Sequence, residues 1–445
     1  MTVWGGSPES AEATGTERMA LEVRTLAGPL RGSTDLDALV DRVRGARFVC
    51  VGEASHGTSD NYRWRALLTR RLVEEHGFTW IGVEGDWPDC WRINRWVRGE
   101  ADQDLDAVGV LDRFERWPTW MWANREVAEF LTWLHAYNLA RPESARVGFY
   151  GLDVYSLWDS LWEIMGWLEA NAPESLPAAL RAWQCFVPYG EDPHQYARST
   201  RLVPAGCEAD VVRLLVEVRR RARERSGDAE MLDVVQNAEV ATNAEHYYRT
   251  MVRGDRQSWN VRDHHMVDTV ERLARHGGPR SQGIVWEHNT HVGDARATDM
   301  AREGLVNVGQ LLRERHLAED VALVGFASHR GTVLAADSWG APESVMPVPV
   351  ARAGSLESLL HETLGAPALL VFPDDRSGPW LSSWTGHRAI GVVYHPEREV
   401  GNYVPTRIGA RYDALLWLER TTAVHPLHHE ARPTEPELET EPTGF

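Results

Sequence analysis

The stretch Phe-Val-Cys-Val-Gly-Glu-Ala-Ser-His-Gly-Thr, residues 48–58, decides the fold. It begins as a run of β-forming apolar residues and ends at Gly52, which is followed by an acid and a base, Glu53 and His56. A short apolar run of this kind is typical of a strand that is buried on both faces. In α/β proteins such strands carry chemical groups at their carboxyl ends. The stretch therefore predicts an α/β fold in which His56 is a general base oriented by a carboxylate.

Similar apolar runs recur along the chain and predict a sheet. The strand candidates are 46–51, 79–83, 147–152, 283–287, 321–327, 368–372, 390–394 and 413–418. Most of them do not alternate with polar residues, which favours a mixed, largely parallel central sheet flanked by helices. The long stretch between the third and fourth candidates has a helical pattern. We therefore expect a large helical insertion at about 155–280 that forms a lid or pocket wall.

Composition sets the expected domain limits and excludes some partners. Residues 1–20 and the Pro/Glu-rich tail 426–445 are expected to be disordered, with one α/β domain over 21–425. The chain has 65 acidic and 47 basic side chains and a formal charge of -18. This charge repels nucleic acid and anionic membrane surfaces. Neither a long apolar run nor a signal peptide is present, so we expect a cytoplasmic protein. The sequence does not indicate an oligomeric state.

The cysteines do not form a metal-binding pattern. They stand at positions 50, 90, 185 and 207, without a Cys-x-x-Cys pair. We interpret them as reduced thiols and expect no metal–cysteine site.

Polar side chains follow four of the predicted strands. They are Glu53 and His56, then Glu84 and Asp86, then Asp153, and finally His288, Asn289 and His291. If the strands run parallel, their carboxyl ends meet at one edge of the sheet, and these groups converge on one crevice. The alternative is that they cap helices or lie in solvent.

One arginine is placed near the first of these loops by a predicted helix. The helix begins near Asp60 or Asn61 and continues to about His76, with Gly77 as its stop. Arg65 lies in its first turns, where its guanidinium could reach a carboxylate or a developing oxyanion. A lone arginine on a helix is otherwise an ordinary solvated charge.

The segment Trp-Glu-His-Asn-Thr-His-Val-Gly, residues 286–293, holds a second group of histidines. Its donors suit either metal ligation or polarisation of a substrate oxygen. The spacing does not match the two histidines of a zincin helix.

Together these motifs resemble the erythromycin esterase family, which also includes succinoglycan biosynthesis-like proteins. The resemblance rests on Gly-Glu-Ala-Ser-His-Gly at 52–57, Arg65, Val-Glu-Gly-Asp at 83–86 and Glu-His-Asn-Thr-His-Val-Gly at 287–293, and it extends over roughly 40–425. The family includes macrolide-lactone hydrolases and many proteins of unassigned role. The resemblance implies that the histidine of the first motif activates water and that the site is completed by Glu53, Glu84, Arg65 and His288.

These residues predict a hydrolysis that needs neither a metal nor another cofactor. His56 would take a proton from water, and Glu53 or Glu84 would hold the imidazole in the useful tautomer. Arg65 and His288 would face the tetrahedral oxyanion. Ser55 is not preceded and followed by the glycines of a nucleophile elbow, so we do not expect a covalent serine mechanism.

The substrate is expected to be a large, partly apolar small molecule, with a macrolide as one candidate. Twenty tryptophans either pack the core or form an aromatic pocket wall. The predicted substrate-binding residues are Asp86, Asp153, Asn289, His291, Trp120, Trp122 and Tyr155.

The same residues are also compatible with other functions. A metal-dependent enzyme could use His288, His291 and the carboxylates. A non-hydrolytic enzyme that dehydrates or rearranges a natural product, or a binding protein, could use the same scaffold.

Overall fold

The apolar runs form a large sheet in the computed structural model, which describes residues 15–190, 193–200, 206–224, 229–251 and 257–429. The strands within these ranges are β1 (Ala27–Pro29), β2 (Phe48–Val51), β3 (Trp80–Val83), β4 (Gly148–Gly151), β5 (Gly283–Trp286), β6 (Val321–Ala335), β7 (Ser344–Val348), β8 (Ala368–Val371), β9 (Trp384–Arg388), β10 (Tyr403–Arg407) and β11 (Ala414–Thr421).

The main sheet has the order β1-β8-β11-β6-β2-β5-β3-β4, and β7 pairs with β6. Strands β11, β6, β2, β5, β3 and β4 are mutually parallel neighbours. The pairs β1/β8, β8/β11 and β6/β7 are antiparallel. The prediction of a mixed, largely parallel central sheet is therefore confirmed.

Helices cover both faces of this sheet. In the described ranges they are α1 (Gly15–Leu26), α2 (Asp37–Val43), α3 (Ser59–His76), α4 (Trp87–Val97), α5 (Ala107–Leu111), α6 (Arg125–Leu139), α7 (Leu157–Asn171), α8 (Leu176–Phe186), α9 (Pro193–Thr200), α10 (Glu208–Glu224), α11 (Ala229–Met251), α12 (Gln257–His276), α13 (Asn289–Val292), α14 (Val308–Arg315), α15 (Leu356–Leu364), α16 (Pro379–Ser382) and α17 (Ile408–Arg411). None of them combines the length and the apolar character needed to cross a bilayer.

Strand β2 shows why its sequence is apolar throughout. Successive side chains of a strand point to opposite faces. Val49 and Val51 belong to one hydrophobic core, which includes residues of α2, α3 and α6. Phe48 and Cys50 belong to the core on the other face, which includes residues of α12, α14 and α15. A central strand with both faces covered has no place for a polar side chain, so polar residues begin only where the strand ends.

Helices α7 to α11 follow β4 and have a hydrophobic core of their own. A disulfide between Cys185, in α8, and Cys207, just before α10, joins two parts of this helical region. The prediction of four reduced thiols was therefore wrong for this pair, because the fold brings together two cysteines whose spacing in the chain indicates no pairing. Cys50 and Cys90 are free, buried thiols.

Several predicted boundaries differ from the structure. Residues 390–394 do not form a strand of the sheet and make only isolated bridges at Ile390 and Val393. The expected disorder at 1–20 is corrected at 15–20, which lie in α1, and residues 1–14 lie outside the described residues. In the predicted tail, Leu427 donates a backbone hydrogen bond to Ala123, and residues 430–445 are not described.

Two glycines of the opening stretch are explained by close approach of other chain segments. A Cβ at Gly52 would lie 2.2 Å from Oδ1 of Asn289, and a Cβ at Gly57 would lie 1.8 Å from the carbonyl oxygen of Leu334. Only glycine fits at such distances. Helix α3 then begins with Thr58 as its N-cap rather than Asp60 or Asn61, and it ends at Gly77 as predicted.

Candidate active site

The four loops that carry the predicted polar groups lie side by side. Strands β2, β5, β3 and β4 are consecutive neighbours and run parallel, so their carboxyl ends share one edge of the sheet. All the ionisable side chains singled out in these loops are buried, including Glu53, His56, Glu84, Asp153 and His288. Burial of so many ionisable groups is costly unless each is paired, so their partners define the site.

Glu53 joins the predicted base to the predicted arginine. Its Oε1 lies 2.8 Å from Nδ1 of His56, and its Oε2 lies 2.8 Å from a terminal nitrogen of Arg65. A carboxylate oxygen paired in this way accepts a hydrogen bond, so Nδ1 of His56 carries the hydrogen. The neutral ring then has its lone pair on Nε2, the tautomer required of a general base.

Arg65 lies behind this pair and does not line the cavity. Its side chain is completely buried, and its guanidinium carbon lies 4.5 Å from the ring centre of Tyr62 and 5.1 Å from that of Trp286. The two aromatic faces and Glu53 together hold the charge in place. The prediction that Arg65 faces an oxyanion is corrected, because its guanidinium pairs with Glu53 and does not reach the cavity.

Glu84 belongs to a different ion-pair network, centred on Arg262 of α12. Arg262 binds both oxygens of Asp153 at 2.9 and 2.8 Å and Oε1 of Glu84 at 2.8 Å. The other oxygen of Glu84 accepts the backbone N–H of His288 at 2.7 Å. The geometry thus gives the orienting contact with His56 to Glu53 and assigns Glu84 to fixing the loop after β5.

His291 lies at the far side of the same network. Its Nδ1 is 2.9 Å from Oδ1 of Asp263, its Nε2 is 3.2 Å from a nitrogen of Arg262, and its ring stacks on Trp259 at 4.5 Å. Burial acts to lower the pKa of His291, but the carboxylates of Asp263 and Glu84 outweigh it and raise the pKa to about 9.

His288 faces His56 and is neutral. The two ring centres are 4.8 Å apart. Burial lowers the pKa of His288 well below its ordinary value, and the neighbouring His56 and His291 lower it further. Its Nδ1 accepts the backbone N–H of Thr290 at 3.4 Å, so the hydrogen of the neutral ring is on Nε2. His288 is therefore a neutral hydrogen-bond donor beside the predicted base.

A cavity of about 370 Å³ opens beside His56. Residues from both the sheet edge and the helical region line it. Its aromatic lining consists of Phe114, Trp117, Trp122, Tyr155, Trp158, Tyr248 and Trp339. Its charged lining consists of Glu84, Asp86, Asp89, Glu115, Arg116, Asp153, Asp159 and Arg262. The cavity is therefore aromatic on its walls and mostly acidic in its charged groups.

Two of these acids have pKa values raised towards neutral pH. Burial raises the pKa of Asp86 to about 6 despite the guanidinium of Arg116, whose Nε lies 2.5 Å away. Burial, together with the charge of Asp86, raises the pKa of Asp89 to about 7. These carboxyls therefore change charge near neutral pH inside the cavity.

The predicted substrate-binding residues are divided between this cavity and the core. Asp86, Asp153, Trp122 and Tyr155 line the cavity, whereas Trp120 is fully buried in the core. Asn289 also lies outside the lining. Its side-chain N–H donates to the carbonyl oxygen of Phe326 at 2.8 Å, and its Oδ1 accepts the backbone N–H of Phe326 at 3.2 Å. These two bonds attach the loop after β5 to β6. The hydroxyl of Ser55 contacts that of Thr58.

Arg262, Asp263 and Arg116 were not predicted from the sequence. Arg262 and Asp263 lie inside the amphipathic helix α12, where charged residues ordinarily face solvent, and both are buried. One signal was present in the sequence: two adjacent charged residues interrupt the apolar face of that helix. No comparable signal marks Arg116, which follows no predicted strand.

Fold and site together define an α/β protein with a buried acid–base pair at the carboxyl edge of a parallel sheet. The erythromycin esterase family model matches residues 73–421, more than half of the chain, and the protein belongs to this family.

The individual relatives share low sequence identity with this chain. Erythromycin esterase type II of Escherichia coli is 28% identical over 120 residues, which are 27% of this chain and 26% of that protein, so the match spans about a quarter of the relative. The putative hydrolase YbfO of Bacillus subtilis is 21% identical over 420 residues, covering 87% of this chain and 86% of that protein. A mutant of erythromycin esterase EreC in its open conformation has the same fold, with a TM-score of 0.64, 20% identity, and coverage of 91% of this chain and 97% of that chain.

Proposed function

We propose that the protein is a hydrolase that cleaves an ester or lactone of a bulky, partly apolar small molecule with water activated by His56. The observation that carries the proposal is the buried series His56–Glu53–Arg65 beside a cavity with aromatic walls. Family membership and the names of the relatives, erythromycin esterase and putative hydrolase, agree with this class of reaction.

The chemistry follows from the tautomers. Water in the cavity loses a proton to Nε2 of His56 as its oxygen attacks the substrate carbonyl. Glu53 accepts the hydrogen bond from Nδ1 and stabilises the imidazolium that forms, while Arg65 holds the other oxygen of Glu53. His288 does not itself line the cavity, but its ring centre lies 4.8 Å from that of His56, and we assign it as the donor to the developing oxyanion. The imidazolium then returns its proton to the leaving oxygen.

Mutation of the base tests the assignment. We expect His56→Asn to lower kcat by about 10²–10⁴-fold, the usual contribution of general base catalysis, while the fold is retained. The assay follows a panel of macrolides and simpler aryl esters by mass spectrometry for a mass gain of one water. Unchanged turnover by the variant would contradict the role of His56.

The same assay separates two other functions. A mass loss of one water, or a product of unchanged mass, identifies dehydration or rearrangement on the same base. A ligand that binds and is recovered intact after long incubation identifies a binding protein.

The charges around His291 argue for a metal-independent site. Both ring nitrogens already have close partners, because Nδ1 lies 2.9 Å from Asp263 and Nε2 lies 3.2 Å from a guanidinium nitrogen of Arg262. The guanidinium is a cation, and it opposes binding of a metal ion at that nitrogen. We therefore expect turnover to survive exhaustive treatment with a chelator, and loss of turnover that returns on addition of a divalent ion would favour the metal-dependent alternative.

Cytoplasmic localisation, a small-molecule partner and the lack of nucleic-acid or membrane partners remain predictions. The Cys185–Cys207 disulfide bears on the first of these, since such bonds usually persist in oxidising compartments.

A further inference from the structure

A second group of ligand-type side chains lies outside the cavity, on β6, β11 and α15. His329 is on β6, Glu419 on β11 and His361 on α15. In the parallel pairing of the two strands, Ser328 lies opposite Leu418 and Arg330 opposite Arg420, so His329 and Glu419 are neighbours on the same face. None of the three residues lines the cavity beside His56.

The helix that packs on this face supplies the third side chain. Leu359 and Leu360 of α15 share a hydrophobic core with Ala327 and Trp417, which point to the same face as His329 and Glu419 because they stand two positions earlier. This packing places Nδ1 of His361 at 2.7 Å from Oε1 of Glu419. It also stacks the rings of His361 and His329, with their centres 3.8 Å apart and their planes 6° from parallel.

The group has unused ligand atoms. One nitrogen or oxygen from each of the three residues lies within 4.8 Å of the others. The side chain of His329 is 5% exposed, and its Nδ1 is buried without a hydrogen-bond partner, as is Oε2 of Glu419. Buried polar atoms without partners are rare in folded proteins, and a role as metal ligands is one physical explanation for them.

We propose that His329, His361 and Glu419 bind one divalent transition-metal ion of the zinc type. Two imidazoles and one carboxylate are a donor set that Zn²⁺ accepts, with a fourth position left for water. His361 and Glu419 are 39% and 20% exposed, so an ion reaches the site from solvent. Rotation of the His361 side chain brings the ligand atoms to the shorter spacing that a tetrahedral ion requires, and the ion replaces the His361–Glu419 hydrogen bond.

The bound ion would cross-link two central strands and a covering helix. It lies apart from the proposed hydrolytic site, so its binding and the proposed hydrolysis are tested independently.

Cobalt titration of the full chain tests the proposal. Protein purified without a metal-affinity step is stripped with a chelator and titrated with Co²⁺, whose visible d–d absorption reports ligands and geometry. We expect one ion per chain. His361→Ala and Glu419→Gln should each weaken binding by more than about 100-fold, because changes even outside the first ligand sphere cost about 10–100-fold.

The matched control is His425→Ala. His425 also bonds a glutamate, with Nδ1 at 2.7 Å from Oε1 of Glu126, but it has no second histidine partner in the described structure. This variant should bind Co²⁺ like the parent protein, and His56→Asn should do the same. Failure of the parent protein to bind Co²⁺, or equal binding by the parent and the His361 and Glu419 variants, would overturn the proposal. Circular dichroism of each variant establishes that lost binding does not reflect lost fold.

Discussion

Glu53 is the residue on which the proposed chemistry depends most closely, because it contacts both the proposed base, His56, and Arg65. Glu53→Gln removes the charge but keeps the size of the side chain. We expect kcat to fall by about 10²–10⁴-fold with little change in KM, since the imidazolium formed in the reaction loses its stabilising carboxylate. Steady-state kinetics on an ester found by the mass-spectrometric assay gives the measurement.

A matched control for this variant exists elsewhere in the chain. Glu126→Gln alters a glutamate that bonds His425 at 2.7 Å and does not line the cavity. Activity at or near the parental level is expected for the control. Equal loss in both variants would show that the effect of Glu53→Gln reflects stability, and an active Glu53→Gln enzyme would refute the orienting role.

We expect His291 to make the free energy of unfolding depend on pH in the alkaline range. Its folded pKa of about 9 lies above the ordinary value of roughly 6.5. Because the folded pKa is the higher one, the stabilising contribution is complete below pH ~6.5 and is lost as the pH rises through about 9. The shift corresponds to about 3 kcal/mol of unfolding free energy.

The measurement compares urea unfolding of the parent protein and His291→Gln between pH 6 and 9.5. The difference in unfolding free energy should shrink by about 3 kcal/mol as the pH rises through this range. His395→Gln, a substitution at a half-exposed histidine, is the control. A difference that stays constant or grows with pH would contradict the assigned charge of His291.

Residues differ in how well the sequence predicts them. Glu53, His56, Glu84 and Asp153 were predictable because each directly follows an apolar run, and parallel pairing then fixes their shared edge. Their partners were not predictable, because a contact such as Arg262–Glu84 joins positions that only the folded chain brings together. Trp120 and Trp122 stand two positions apart, yet one is in the core and the other lines the cavity, a difference that only the local backbone determines.

Among the elements, the helical region after β4 gives a test of the disulfide. The protein denatured without reductant should show two reactive thiols per chain, from Cys50 and Cys90, and four after reduction. Four thiols without reductant would disprove the disulfide.

The disulfide should also stabilise its helices. The bond closes a segment with a sequence separation of 22, for which loop-closure entropy gives about 3 kcal/mol. A Cys185→Ser, Cys207→Ser double variant should therefore unfold at lower temperature than the parent, and a Cys90→Ser variant serves as the control for loss of a free thiol.

The parallel strands of the main sheet were predicted better than three short antiparallel strands, of which β9 and β10 pair with each other outside the main sheet. A buried parallel strand can be predicted because its sequence is a continuous apolar run. Strands β7, β9 and β10 are short, partly exposed and paired antiparallel, so their sequences do not contain such a run. The run 390–394 is apolar because it lies against the interior, although it does not join a ladder.

At the scale of the whole molecule, net charge and cavity charge have the same sign. The chain carries a formal charge of -18, and acidic groups outnumber arginines in the cavity lining. A field of this kind attracts cationic substrates and is screened by salt. For a pair of matched aryl esters, we expect kcat/KM to fall with ionic strength for the cationic ester and to rise for the anionic one. Identical salt dependence for the two esters would contradict this prediction.

Strand β2 pairs with two strands that are synthesised much later than β2 itself. Its partners, β5 and β6, begin only at Gly283 and Val321, so the strand that leads to His56 emerges from the ribosome long before either neighbour exists. Contacts between segments so distant in the chain form slowly, and unpaired apolar strands aggregate. Nascent chains shorter than about 280 residues should therefore depend on chaperones, and production should improve when translation is slowed or chaperones are supplied.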